Sequence, residues 1–292
     1  MEEQPSTVAL IGPGRAGTTI ALGLLELGWN VIAVAGRAPD AASTLAAAAC
    51  LASRPALVSE AARGAALVIV ATPDRAIGPA LLTAEPAIEP GALVVHLAGS
   101  QGLDAFDDLL ARRTGILVGA LHPLQSFPNT TVGLERLHGA WAAVAGDPAV
   151  SKLAQSLGLR PFPLADHDRI RYHAAAVVAS NHLVALLGQV QRLANSCEVP
   201  FEAFAPLVLA SVQNAFTLGP AEALTGPIAR GDAAVVARQV DALAAWDGNI
   251  ADAYRDLGRI AMELARLQGG ADKAALAAIA RALSPRNRTT DP

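Results

Sequence analysis

Val8-Ala9-Leu10-Ile11 followed at once by Gly12-Pro13-Gly14-Arg15-Ala16-Gly17 is the stretch that decides how this chain folds. The apolar run reads as a short buried strand, and the Gly-x-Gly-x-x-Gly spacing reads as a tight turn into a helix. Glycine at these places lets backbone N–H groups at the helix N-terminus approach a pyrophosphate closely. An amphipathic stretch runs on to Gly28, and a second apolar run, Val31 to Ala35, ends in Gly36-Arg37. Strand, glycine turn, helix and second strand together predict a dinucleotide site formed by Gly12, Pro13, Gly14, Arg15, Ala16 and Gly17, with Gly36 and Arg37 at its ribose end. The end of the second strand lacks the carboxylate that would bind a ribose 2′-hydroxyl. Arginine there can pair with a 2′-phosphate, so NADP is favoured over NAD.

With 292 residues the chain has room for two domains, each with its own core. It is 52% hydrophobic and 16% charged, with long alanine-rich stretches, which is the composition of a globular protein with close helix packing. A formal net charge of −4 argues against a basic face for nucleic acid or anionic lipid. Cys50 and Cys197 lie far apart with no metal-ligand spacing, so no metal site is expected and both are read as buried thiols in a reducing cytoplasm. The acidic, polar Met1 to Pro5 is unlike a signal peptide, and the apolar run Ala174 to Leu187, broken by Asn181 and His182, is too short to span a bilayer. A cytoplasmic protein is the expectation. Only Lys152 and Lys273 are lysines, the rest of the 22 Lys and Arg residues being arginine. Any lysine-dependent chemistry is confined to those two, and neither falls in a candidate site.

From Val8 to about Leu164, short apolar runs alternate with helical stretches, as in parallel βαβ units. Strands are expected at Val8–Ile11, Val31–Ala35, Ala56–Val58, Leu67–Ala71, Leu93–Leu97, Ile116–Ala120, Ala142–Ala145 and Arg160–Pro163. Helices are expected near Arg15–Leu27, Pro39–Ala52, Arg75–Leu82, Leu103–Arg112 and Pro148–Leu157. From Asp166 onward the pattern is helical only: Asp168–Ser196, Phe201–Leu218, Ala233–Ala244, Trp246–Leu267 and Lys273–Leu283, separated by Gly and Pro. This predicts a doubly wound α/β domain of Rossmann type over 1–165, an all-helical domain over 166–284, and a disordered tail over 285–292. Substrate is expected between the domains, at the carboxyl ends of the strands.

The loops at those strand ends carry the chemistry. Thr72 and Pro73 are placed along the cofactor groove, with Asp74 capping the next helix. His96-Leu97-Ala98-Gly99-Ser100-Gln101-Gly102 offers backbone N–H groups and a hydroxyl to the nicotinamide ribose or a substrate oxygen, through Gly99 and Ser100; alternatively Ser100 caps the helix near Leu103. Leu121-His122-Pro123-Leu124-Gln125-Ser126-Phe127-Pro128 sets an imidazole, an amide and a hydroxyl between two prolines, so His122 and Ser126 are candidate catalytic groups and Gln125 a substrate contact. In the helix that follows, His173, Val177, Ser180 and Asn181 share a side, and burial of the polar His173 and Asn181 without partners would be costly. They are expected to face a ligand. Arg230, in the turn Leu224 to Asp232, is a candidate clamp for a substrate carboxylate, while Asp232 caps the next helix.

These motifs, with Thr-Pro-Asp at 72–74, Tyr-His-Ala-Ala-Ala at 172–176 and Leu-Thr-Gly-Pro at 224–227, resemble a family of predicted oxidoreductases over nearly the whole chain. That family joins a Rossmann-like domain to a helical C-terminal domain of unknown function. It is similar in turn to the 6-phosphogluconate dehydrogenase-like superfamily, with its β-hydroxyacid dehydrogenases, ketopantoate reductases and pyrroline-carboxylate reductases. The resemblance implies a homodimer through the helical domain and makes ketopantoate the first substrate to test. One departure matters. The hydroxyacid enzymes and the usual ketopantoate reductases place a lysine one helical turn before an asparagine, and here Asn181 is matched while the lysine position is Val177.

The expected function is therefore NADP-dependent reduction of a small oxo acid, with His173, His122 or a bound water giving the proton, and Asn181 and Ser126 positioning the carbonyl. A pyrroline-carboxylate type of imino-acid reductase is the alternative, since a basic imine needs less help from an acid. A non-catalytic dinucleotide sensor stands as the rival from another class.

Overall fold

The computed structural model describes residues 6–284, so Met1 to Pro5 and the expected tail at 285–292 lie outside the described residues. Two compact units divide between Leu183 and Val184, inside a helical stretch rather than at the expected junction of 165 and 166.

The first unit is built on an eight-stranded sheet of β1 (Thr7–Ile11), β2 (Asn30–Ala35), β3 (Arg54–Ala56), β4 (Leu67–Val70), β5 (Leu93–His96), β6 (Leu117–Pro123), β7 (Trp141–Gly146) and β8 (Arg160–Pro163). Their order is β3-β2-β1-β4-β5-β6-β7-β8. β1 and β4, neighbours across the point where the order reverses, are buried along almost their whole length. Alternate residues feed two cores. Val8, Leu10, Ile69, Val95 and Leu121 pack on one face with Ile20 and Leu24 of the helix Arg15–Glu26. Ala9, Ile11, Val68, Val70 and Val94 pack on the other with Leu81 and Phe106. Each large apolar side chain so buried contributes about 1.5–3 kcal/mol, and burial on both faces explains why these strands read as unbroken apolar runs.

Both edge strands carry proline, Pro55 in β3 and Pro161 and Pro163 in β8, where a missing N–H costs no central ladder bond. At β3 the expected Ala56–Val58 is displaced: the strand ends at Ala56 and Val58 begins a short helical turn. A second correction concerns direction. β7 runs antiparallel to β6, pairing Pro123 with Ala142 and Gly119 with Gly146, whereas parallel units were expected throughout. The cause is the unforeseen helix Thr130–Leu137, capped by the Asn129 side chain on Val132 N–H. It docks on the helix Arg15–Glu26, where a side chain on Gly133 would meet Thr19 at 2.7 Å. The chain therefore returns beside the carboxyl end of β6 instead of crossing to the other end of the sheet.

The second unit packs the helices Ala233–Trp246, Gly248–Gln268 and Lys273–Ala282 around Val236, Val240, Met262, Leu276 and Ile279, while the helix Ala205–Leu218 contributes no buried residue. Asp232, Asp247 and Asp272 each cap the helix they precede by accepting backbone N–H groups. Gly269, at φ +75°, ends the helix Gly248–Gln268 in the left-handed conformation that glycine adopts freely. Cys50 and Cys197 are both exposed, contrary to the expectation of buried thiols, because each sits at or just past a helix end. The helical stretch Asp166–Ser196 is also longer than the apolar run Ala174–Leu187. It and Phe201–Leu218 are long and apolar enough to cross a membrane by length and composition, and neither apolar window is buried within this chain.

Candidate cofactor and active site

The turn after β1 is shaped by what surrounds its glycines. Gly12 has φ +100°, and a side chain there would lie 2.6 Å from the Ala71 carbonyl and 2.7 Å from Thr72 N, at the end of the neighbouring β4. Gly17 would meet Ala71 Cβ at 2.6 Å and Gly12 O at 2.7 Å, so its absence of a side chain seats the helix on the sheet. Gly14 has nothing within 4 Å and faces open space. It is the N-cap residue of Arg15–Glu26, with no side-chain cap and no acidic residue in the first turn. The positive end of that helix is left to an anion, an arrangement worth about 0.3–1 kcal/mol in itself and more with direct N–H contacts.

At the end of β2, Gly36 is required by close approach: a Cβ would come 2.2 Å from Thr44 Oγ1 and 3.2 Å from Pro13 Cγ. Arg37 is exposed beside it. Arg15 points elsewhere than expected, donating from a guanidinium N–H to Pro128 O at 3.2 Å and so tying the turn to the loop after β6. Thr72 Oγ1 is buried at the end of β4 without a partner, and Pro73 is exposed. Asp74 does not cap the next helix, and Ser100 does not cap the one near Leu103. The Ser100 hydroxyl donates instead to the Asp74 carboxylate, clasping the β4 and β5 loops together.

The β5 loop is held from below by His96, a fully buried ring stacked 5.3 Å from Phe106. Its Nε2 lies 3.0 Å from Gly102 O and must donate, while Nδ1 accepts from Ala98 N–H at 3.3 Å. Both assignments describe a neutral imidazole, and burial lowers its pKa accordingly. Asp166 completes the support. One carboxylate oxygen accepts Leu103 N–H at 2.9 Å and the other accepts Arg169 Nε at 3.1 Å. Gly102 leaves room for that carboxylate, which a Cβ would approach to 2.6 Å.

Above this loop His122 and His173 meet. Their rings lie edge to face at 6.0 Å, and both border Gly99, whose Cβ would come 2.6 Å from His173 Cδ2 and 2.8 Å from His122 Nε2. His122 Nδ1 is 2.8 Å from the Tyr172 hydroxyl. Burial above all, with help from His173 and Arg169, lowers the His122 pKa to about 4. Burial likewise pushes Tyr172 up to about 12. The His122 ring is therefore neutral and the phenol protonated through the ordinary pH range.

The structure brings together His122, His173 and Gly99, and leaves other expected partners apart. Ser126 and Gln125 are exposed, the Gln125 Oε1 accepting Ser126 N–H at 2.8 Å. Asn181 is exposed, so the cost of burying it does not arise. Residues Val178–His182 form a π-helical turn that shifts the phase of the helix, and the Ser180 hydroxyl lies 2.7 Å from Ala176 O and 2.8 Å from Asn181 Oδ1. Inserted turns of this kind cluster at functional sites. Arg230 is exposed in a turn of the second unit. Tyr172, Arg169, Asp166 and His96 were assigned no role from sequence; the Asp166–Arg169 spacing and the adjacency of Tyr172 to His173 were the available signals. A cavity of about 380 Å³ lined by Val144, Val150, Pro163 and Ala165 lies at the carboxyl ends of β7 and β8.

Residues 7–99 match the family model described as NADP oxidoreductase, coenzyme F420-dependent, and residues 141–261 match a domain of unknown function, DUF2520. No curated protein matches this chain. Among solved structures, a protein assigned as an NADP oxidoreductase from Bacteroides fragilis is similar at 23% identity and a TM-score of 0.75, over 89% of this chain and 98% of that one. A protein from Thermotoga maritima has 23% identity and a TM-score of 0.68, over 90% and 99%. The pyrroline carboxylate reductase of Plasmodium falciparum with NADP bound has 13% identity and a TM-score of 0.58, over 97% and 99%. The fold of this chain is that of these proteins: a Rossmann-like, mainly parallel sheet with a helical C-terminal region.

Proposed function

We propose that this protein is an NADP-dependent reductase of a small imino or oxo acid, with the imine as the better acceptor. The observation that carries this reading is an uncapped glycine turn at β1 on the same sheet as Gly99, after β5, with His122 of β6 and His173 of the helix Arg169–Val177 paired around it. The match of residues 7–99 to an NADP oxidoreductase model supports it. The residues fit the cofactor: Gly12 and Gly17 let the turn pack closely on Ala71, Gly14 leaves open space at the uncapped helix N-terminus for a pyrophosphate, and Arg37 is available for a 2′-phosphate. Thr72, Pro73, Gly99 and Ser100 line the groove beyond. NADPH, when bound, supplies a hydride; the chain supplies binding, orientation and control of the proton.

Two observations favour C=N over C=O. No lysine stands at position 177, and His122, at a pKa of about 4, is not a cationic acid near neutral pH. A protonated imine brings its own proton, whereas a ketone needs one delivered during reduction, from His173 or water. Resemblance in fold to pyrroline carboxylate reductases points the same way, and neither family model nor the structures named above is a ketopantoate reductase. Steady-state NADPH oxidation should be measured with pyrroline-carboxylate, ketopantoate and short 2-oxo acids. Turnover greatest with the imine supports the proposal. Greater turnover with an oxo acid overturns the C=N preference, and no turnover with any while NADPH binds leaves the protein a dinucleotide sensor.

We also infer that a second copy of this chain covers the apolar faces of the stretches Asp166–Ser196 and Phe201–Leu218. Val184, Leu207, Leu209 and Phe216 are exposed there, Phe216 at 90%. A bilayer is a poorer partner, because Gln189, Gln191, Arg192 and Asn195 lie within the first stretch and Arg192 pairs with Asp247. A dimer in detergent-free buffer by sedimentation supports this, in keeping with the cytoplasmic expectation. A monomer, or recovery only in micelles, refutes it.

A further inference from the structure

We propose that Tyr172 is a positioning residue that donates its hydroxyl proton to His122 Nδ1, so that the imidazole stands as the Nε2–H tautomer with that N–H turned to the Gly99 side of the site. The functional use of that N–H, as a hydrogen-bond donor to the reacting group of the substrate, rests on the reductase reading above. The tautomer itself does not.

The geometry narrows the choices. A neutral imidazole has one donor and one acceptor nitrogen, and the bond its partner makes decides which is which. Nδ1 is committed to Tyr172 at 2.8 Å, and Nε2 is the nitrogen that borders Gly99. If the phenol donates, its proton is satisfied and only Nε2–H is left for a ligand. If Nδ1–H donated instead, the hydroxyl proton of a half-buried tyrosine and the Nε2 lone pair would both lack partners among the described residues. Each arrangement leaves one donor awaiting a ligand, but the second leaves the Nε2 lone pair unmet as well, so the first is preferred. The surroundings of His122 agree with a neutral ring: burial first, then His173 and Arg169 of the helix Arg169–Val177, disfavour a proton, Asp74 favours one, and His96 of β5 disfavours it.

Tyr172 is itself braced. Its ring packs edge to face on Phe162 of β8 at 5.9 Å, and Phe162 packs on Trp141 of β7 at 6.2 Å. The Arg160 guanidinium lies 5.9 Å from the Trp141 ring centre. The two strands added beyond β6 thus hold the phenol that aims the imidazole. This gives the antiparallel extension a role in the site and not only in closing the sheet edge.

The wild-type tautomer can be read directly by two-bond ¹H–¹⁵N correlation on histidine-labelled protein at pH 7, the His122 signals being those lost in His122→Gln. An Nε2–H pattern is expected, and conversion to a mixture in Tyr172→Phe. An Nδ1–H pattern in the wild type, or an unchanged tautomer in a folded Tyr172→Phe, overturns the proposal. Should Tyr172→Phe not fold, the wild-type spectrum still decides. In the reductase assay Tyr172→Phe should lower kcat about 10-fold, since only part of the population presents the correct nitrogen, with the Kd for NADPH unchanged within twofold. The expected spectra without any turnover would retain the tautomer and discard the reductase reading.

Discussion

The turn after β1 works through backbone, and the loop after β6 works through side chains brought to it from elsewhere. In the first, the turn itself spans six residues: Gly12 and Gly17 make room for the Ala71 backbone and methyl, and Gly14 opens the helix end. In the second, His122 acquires its state from Gly99, Tyr172, His173 and Arg169, which come from β5's loop and from a helix some fifty residues on. A backbone site tolerates no change in its own sequence but asks little of distant residues. A side-chain site tolerates local change and depends on remote packing.

That contrast can be broken most forcefully at Gly12. Gly12→Val places a branched side chain at φ +100° against Ala71, and strain together with overpacking should cost about 3–5 kcal/mol. Urea unfolding and NADPH titration should show loss of both stability and binding. A variant that binds normally would mean the turn is not the cofactor site.

Next in size is pH. The His122 pKa of about 4 lies below the ordinary 6.5, so the unfolded chain takes up a proton before the folded one does. Stability from this group is complete above about 6.5 and is lost as pH falls towards 4, by about 2–3 kcal/mol. Buried His96 adds in the same direction. Unfolding midpoints at pH 7.5 and 4.5 should differ less in His122→Gln than in the wild type.

Gly99→Ala tests the remote side of the comparison. A methyl 2.6 Å from His173 and 2.8 Å from His122 must move both rings, at about 1–3 kcal/mol. It should lower kcat about 10- to 100-fold and weaken NADPH by a smaller factor, because the rings it displaces act on the reacting group whereas Gly99 only borders the cofactor groove. Equal losses in both would dissolve the distinction between the two loops. The smallest effect is expected at Arg37→Ala, where loss of one exposed charge-assisted contact should weaken NADPH about 5- to 10-fold and leave NADH unchanged.

Most of the sheet was legible because strands such as Leu67–Val70 are buried on both faces and must be apolar at every position. Arg160–Pro163 was expected as a strand and lies at the sheet edge, where its prolines cost no central ladder bond. The helix Thr130–Leu137 was not, because Thr130, Thr131, Val132 and Gly133 are weak helix formers and its stability comes from docking against Thr19. The same misreading turned β7 the wrong way. Within the candidate site, His122 and His173 stood out as polar groups in apolar surroundings, whereas Tyr172 and Arg169 looked like ordinary members of a helix. Ser126 and Asn181 stood out equally and proved to be exposed, since sequence shows that a polar group is present but not which way it faces.

Taken alone, the sequence determined the glycine turn, its strand and helix, and that Gly36-Arg37 rather than a carboxylate stands at the end of β2. Those follow from local rules: backbone angles, close approach and the charge at a single strand end. Only the tertiary structure decided that β7 reverses, that Asp74 clasps Ser100, and that Tyr172 meets His122. The last two contacts join residues 26 and 50 positions apart, and their energies depend on burial that no local pattern records.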